Sequence, residues 1–157
     1  WLWWQCLLLL LWDTGERIGA ILQIKWENLD LDSRWLHVPA ELRKGQVKDM
    51  DYKLAPETVG LIRMLRKYSP ELVLPTLYNH QYLWQAYADL LELAGLPRNR
   101  QSMFHRIRRS VASHFEAAGG DAQRLLGHSS RSVTDGYLDP TIARSEQATD
   151  RLFRPTG

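Results

Sequence analysis

Residues 28–54, NLDLDSRWLHVPAELRKGQVKDMDYKL, interrupt a chain whose apolar residues otherwise recur at helical spacing. The first part, NLDLDSRWLHV, alternates apolar and polar residues about an Asp32-Ser33 turn, and after RKGQVKD a second short alternating stretch, MDYKL, follows. A period of two puts successive side chains on opposite faces of a strand. Together these stretches predict a small three-stranded antiparallel sheet with Lys44 and Gly45 near its second turn. On the N-terminal side, WLWWQCLLLLLW is an apolar helix that breaks at Asp13-Thr14-Gly15, where Gly permits a turn and Asp or Thr can cap the amides that follow. A second helix is expected over 16–24. On the C-terminal side, Pro56 suits a first helical turn, and Val59, Ile62 and Leu65 carry that helix to about Lys67. After a Pro-bounded loop, HQYLWQAYADLLELAGL and the segment 105–118 repeat the helical pattern and close at Gly95 and at Gly119-Gly120. Shorter helices are expected over 122–126, 132–137 and 141–153. The fold class is therefore mainly α with a small three-stranded antiparallel β-sheet (α+β), in one domain spanning 1–157.

The composition of the 157-residue chain, 45% hydrophobic and 24% charged, is that of a globular domain able to bury a core, which argues against disorder. The net charge of +2 identifies no partner by itself. Its distribution says more: PRNRQSMFHRIRR places five Arg and one His within the twelve positions 98–109, enough for a phosphate-binding surface made by Arg98, Arg100, Arg106 and Arg109. A solvated basic helix face is the plainer alternative for that stretch. The single Cys6 excludes an internal disulfide framework, fits a reducing cytoplasm, and reads as a small buried hydrophobe. The opening apolar run is about half the ~20 residues needed to cross a bilayer and lacks the flanks of a signal peptide, so no membrane association is expected. The chain has no initiator Met and is helical from its first residue, which points to an absent preceding domain.

Three short patterns carry candidate chemistry. In HRIRRS, His105 and Arg108 lie three apart and project from one helix face, so that one oxyanion can meet both. In LLGHSSRSVTDGYLDP, Gly127-His128 closes a helix and Tyr137 follows nine residues later. In DTGERIGAIL, Arg17 starts a helix just after a glycine turn. Each pattern alone has an ordinary structural explanation: a chance pair, a rim tyrosine, a surface arginine.

In this order and spacing the three resemble the tyrosine recombinase, or phage integrase, family over about 7–137. Thr14-Gly15-Glu16-Arg17 resembles its first arginine motif, His105 and Arg108 its H-x-x-R, Leu126-Gly127-His128 its L-G-H, Tyr137 its nucleophile and Lys44 its hairpin lysine. The chain departs from the family at Ala20, where an acidic brace is common, and at Arg109, where a histidine is common. The missing acid is expected to loosen the support of Arg17, and Arg109 adds a cation for DNA or solvent.

The resemblance implies a catalytic domain whose full-length form also carries an N-terminal DNA-binding domain. It further implies a site-specific recombinase that cleaves and rejoins DNA through a 3′-phosphotyrosine. Arg17 and Arg108 would neutralise the phosphate in the transition state, because a planar guanidinium donates two hydrogen bonds and stays charged. His105 would act as base, His128 as donor to the phosphate, and Lys44 as the acid that protonates the leaving 5′-oxygen, with Lys48 and Lys53 as substitutes. No cofactor and no metal are expected: the sequence has no P-loop, no H-E-x-x-H and no carboxylate cluster at metal-ligand spacing. The implied partner is double-stranded DNA, bound by a homotetramer of the full-length protein, with this fragment alone a monomer, cytoplasmic and nucleoid-associated. In the C-terminal segment, Ile142, Leu152 and Phe153 are expected to dock on a neighbour or on the chain's own core. Two alternatives stay open: a catalytically impaired DNA-binding relic, and a strand transferase of type IB topoisomerase kind.

Overall fold

The structure, a computed structural model, describes residues 1–43, 45, 48–75, 79–99 and 103–143. Chain contacts divide the protein into two compact units, Trp1–Arg108 and a second that starts at Arg109.

The first unit is built around α1 (Leu2–Thr14), whose Cys6, Leu7, Leu10 and Leu11 are at most 1% exposed. Fully burying a leucine is worth roughly 1.5–3 kcal/mol, so this helix is a principal source of core energy. Burial also pushes the Cys6 thiol up to about 11. Gly15 ends α1 in the left-handed region at φ 64, a conformation that a side chain makes costly. Thr14 Oγ1 donates to the Leu10 carbonyl (2.7 Å) and accepts from the Glu16 amide (3.1 Å), so the expected capping role falls to threonine. Asp13 caps a different helix: its Oδ2 accepts from the Ala55 amide (2.9 Å) at the start of α3.

The chain leaves Gly15 into α2 (Ile18–Ile21), much shorter than the helix expected over 16–24. Pairing with a distant segment explains the difference. The Ile24 carbonyl accepts from the Val73 amide (3.0 Å) and Lys25 bridges Leu72, which draws this stretch into an extended conformation. The sheet follows as expected: β1 (Leu29–Asp30), β2 (Trp35–Val38) and β3 (Met50–Lys53) pair antiparallel in that order. The register sets Leu36 opposite Tyr52 and Val38 opposite Met50. Leu36, Val38 and Tyr52 are buried while Trp35, Asp51 and Lys53 are exposed, the alternation that the sequence carries.

Helix α3 (Pro56–Leu65) begins with its proline and buries Thr58, Val59, Ile62 and Leu65; a 3₁₀ turn, Arg66–Tyr68, replaces the last turn expected to Lys67. Helix α4 (His80–Leu93) is capped by Asn79, whose side chain accepts from the Tyr82 amide. Its Tyr87 stacks on Phe104 with ring centroids 3.9 Å apart, and Trp4 of α1 and Trp84 pack on the same phenyl ring. Aromatic pairs add ~0.5–1.5 kcal/mol beyond burial. They fix the start of α5 (Phe104–Ala117) inside the first unit.

In the second unit, which takes α5 from residue 109 onward, come α6 (Ala122–Leu126), α7 (Arg131–Asp135) and α8 (Pro140–Ala143). Asp121 caps α6 by accepting from the Arg124 amide (3.0 Å), and Gly127 ends it at φ 67. Ala112, Ala122 and Leu126 form the core, with Tyr137 and Leu138 packed against them. Helix α7 starts one residue before the expected span and ends two before Tyr137, leaving the tyrosine in the turn beyond it. The rest of the helix expected over 141–153, with Leu152 and Phe153, lies outside the described residues; Ile142 falls in α8. Among the described residues no helix is long and apolar enough to cross a membrane.

Candidate active site

The left-handed turn at Gly15 places Arg17 as the N-cap of α2 with an extended backbone (φ −73, ψ 142). Helix α5 supplies His105 and Arg108 from one face, one turn apart. The fold brings all three to one cleft of about 540 Å³, lined also by Glu16, Ala20 and Trp84. That volume lies within the roughly 300–1,000 Å³ of ligand-binding clefts. Arg17 is half-buried and His105 exposed, whereas Arg108 is only 2% exposed. Arg108 Nη1 donates to the Gly15 carbonyl at 2.5 Å, so the second arginine holds the turn that presents the first.

Beneath Arg108 lies a carboxylate that the sequence reading passed over. Glu16 is 2% exposed. Its Oε1 accepts from Arg43 Nε (2.5 Å) and from the Tyr52 hydroxyl (2.6 Å), and its Oε2 lies 3.7 Å from Arg108 Nη1 and accepts from the Arg17 amide (3.3 Å). Arg43 also donates through Nη1 to the Lys48 carbonyl (2.7 Å). Burial first, and the Glu16 carboxylate second, push the Tyr52 hydroxyl far above its ordinary range, so it remains a donor at any physiological pH. Ala20 lines the cleft without a charge, yet the cleft does contain an acid, supplied from the position before Arg17. The only sequence signal for it was a glutamate set between a helix-ending glycine and an arginine.

Lys44 and Arg100 lie outside the described residues. Lys48 is exposed. Lys53 is not among the residues lining the cleft: its Nζ donates to the Ser33 carbonyl (2.5 Å) and sits 5.0 Å from the Trp35 ring centre. Of the remaining basic residues, Arg98 pairs with Glu92 and Asp89, while Arg106 and Arg109 are exposed on α5.

In the second unit, the left-handed Gly127 turns the chain so that the His128 amide donates to the Gln123 carbonyl (3.1 Å). His128 Nδ1 lies 3.1 Å from Thr134 Oγ1, a hydroxyl on the buried side of α7. The His128 and Tyr137 rings meet edge to face with centroids 4.7 Å apart. The Tyr137 amide donates to the Thr134 carbonyl (2.8 Å), and its own carbonyl accepts from Arg109 Nε (3.3 Å). Thr134 thus fixes both the imidazole and the tyrosine backbone. Glu116 stabilises this unit through Arg131 (2.5 Å) and the Ala122 amide (3.0 Å). Among the described residues no three His, Cys, Asp or Glu side chains are placed to hold a metal ion.

Comparison with known proteins bears on this arrangement. Tyrosine recombinase XerA of Pyrococcus furiosus is 25% identical over 157 residues, covering 94% of this chain and 54% of that protein. Tyrosine recombinase XerC of Xanthomonas axonopodis pv. citri is 30% identical over 146 residues, covering 85% of this chain and 45% of that protein. The chain spans about half the length of the curated relatives it matches. The crystal structure of XerA recombinase shares its fold with a TM-score of 0.78 at 20% identity, over 98% of this chain and 60% of that one. A lambda integrase (75–356) dimer bound to a COC′ core site does so with a TM-score of 0.65 at 18% identity, over 99% of this chain and 56% of that one. The family model for the phage integrase family matches residues 2–144. Since that match takes in every described motif from Thr14 to Tyr137, the chain belongs to the phage integrase family.

Proposed function

We propose that this chain is the catalytic part of a site-specific DNA recombinase that cuts and rejoins strands through a 3′-phosphotyrosine. In the forward step the Tyr137 oxygen bonds to phosphorus and the bond from phosphorus to the 5′-oxygen breaks. The phenolic proton passes to His105, and the departing 5′-oxygen takes a proton from Lys44; attack by a 5′-hydroxyl reverses the sequence. Arg17 and Arg108 hold the non-bridging oxygens, whose negative charge grows in the five-coordinate transition state, and His128 adds a hydrogen bond. The observation that carries this reading is the meeting of Arg17, His105 and Arg108 in one cleft although they come from opposite ends of the first unit. The buried acid at Glu16 weakens the case for a catalytically impaired relic, which rested on Ala20. Arg106 and Arg109, both exposed, would contact the DNA backbone. The partner would be duplex DNA, bound by four copies of the full-length protein.

The test is covalent trapping. Incubated with a nicked suicide DNA duplex bearing the recombination site, the full chain should accumulate a DNA adduct that survives denaturing electrophoresis, and Tyr137→Phe should form none. Equal trapping by the two proteins would remove Tyr137 as nucleophile.

A further inference from the structure

Among the described residues Glu16 is the only acidic side chain lining the cleft, and its neighbours come from four separate stretches of the first unit: the α1–α2 turn, the flank of the β2–β3 hairpin at Arg43, β3 at Tyr52, and α5 at Arg108. We propose that Glu16 is a positioning residue for strand transfer, orienting the Arg108 guanidinium toward the phosphate and, through Arg43, tying the hairpin flanks to the cleft. This rests on the reading of Arg108 as a phosphate donor.

The two oxygens of Glu16 divide the work. Oε1 takes Arg43 and Tyr52, and Oε2 faces Arg108 and the Arg17 amide. Arg43 in turn reaches across to the Lys48 carbonyl, so one buried guanidinium connects residue 48 with the carboxylate under Arg108. Two further constraints fix Arg108: its bond to the Gly15 carbonyl and the burial of nearly all its surface. A buried ion pair is weak support for stability, because apolar residues of similar volume often serve as well or better. Its value here is directional. A carboxylate that accepts from Arg43, Tyr52 and the Arg17 amide and pairs with Arg108 restricts the arrangement of the surrounding donors, whereas a methionine or leucine admits several.

Neutralising Glu16 separates orientation from simple electrostatics, because the two predict opposite signs. Removing a negative charge makes the cleft more positive, which by Coulomb's law alone strengthens anion binding. If Glu16 orients Arg108, its loss weakens anion binding instead. The probe is inorganic phosphate, titrated by NMR against the full chain. Glu16→Gln is expected to weaken binding by about tenfold, the cost of one misaligned charge-assisted donor; unchanged or tighter binding overturns the proposal.

In single-turnover cleavage of saturating suicide DNA, Glu16→Gln should slow adduct formation on the order of 10- to 100-fold, as small misplacements in active sites do. DNA affinity should change less than about threefold, because binding to a duplex sums over many phosphates and this cleft takes one. A second substrate replaces the scissile phosphate by a neutral methylphosphonate, which asks less of a guanidinium. The variant's defect should shrink on it; an equal defect on both substrates, or wild-type speed on the charged one, overturns the proposal. Should Glu16→Gln prove insoluble, the double variant Glu16→Leu with Arg43→Met replaces the pair by apolar volume and should fold. It must show the same charge-selective loss, and wild-type cleavage by it counts as refutation. Wild-type protein that forms no adduct defeats the strand-transfer reading, while the phosphate titration still decides the role of Glu16.

Discussion

Replacing Arg108 by lysine keeps the charge and removes the fork. In the folded protein Nη1 of Arg108 is committed to the Gly15 carbonyl at 2.5 Å, and the same guanidinium lines the cleft. A lysine ammonium is a point donor and serves the carbonyl or the phosphate, not both with good geometry. Losing one well-placed donor to an oxyanion lowers catalysis by roughly 100- to 1,000-fold, equivalent to about 2.7–4 kcal/mol of barrier. The cost in stability is smaller. Complete loss of a hydrogen bond to a charged group costs about 1.5–3 kcal/mol, and the lysine retains part of it. The expected outcome for Arg108→Lys is therefore adduct formation slowed by roughly 100-fold or more at a DNA affinity changed by less than tenfold, with most of the protein still folded. The assay is a quenched single-turnover reaction at saturating suicide DNA, with a circular dichroism melt on the same sample. An adduct rate within about threefold of wild type at equal DNA occupancy refutes the assignment, as does a loss matched by the unfolded fraction.

Gly15→Ala places a Cβ on a residue at φ 64, at a cost of ~1–2 kcal/mol, and should lower the melting temperature by several degrees. The same change should slow adduct formation because this turn presents Arg17; an unchanged melt and rate would show that the turn is not constrained. For Glu116, the hydrogen bond from Arg131 comes first among the causes that hold its carboxyl below the ordinary range. A depressed value in the folded state means stability that is present above the unfolded carboxylate value near ~4.3 and lost as pH falls through the folded one. Urea unfolding from pH 6 down to about pH 3 should therefore show wild type losing more stability than Glu116→Gln, modestly because Arg131 is half-exposed. Parallel pH curves for the two proteins would exclude that role.

Periodicity made the architecture readable wherever a segment's own pattern decides its conformation. The alternation in Trp35–Val38 and Met50–Lys53 gave the sheet, and α6 falls on 122–126 as expected. It was less informative at Ile24–Lys25, where the helix expected to run on gives way to pairing with residues 72–73. Such pairing leaves no local trace in the sequence. The same distinction holds in the site. Arg17, His105, Arg108, His128 and Tyr137 were found because short motifs mark them, and the first three do share a cleft. Arg43 and Tyr52 belong to no motif and Glu16 fills the unspecified position of one: burial makes them a network, and burial of a charged residue is a property of the folded chain. Ala20 led to the expectation of a weakened support for Arg17, whereas an acid four residues earlier occupies the same cleft.

The bond between Arg108 and the Gly15 carbonyl spans 93 residues of chain. Synthesis runs from the N-terminus, so Arg17 leaves the ribosome long before the residue that braces its turn. A nascent chain that ends ahead of α5 holds the Gly15 turn through Thr14, Glu16, Arg43 and Tyr52 but lacks the Arg108 brace. The cleft that unites Arg17, His105 and Arg108 is therefore assembled only once α5 has been made, and a product truncated before it lacks that cleft.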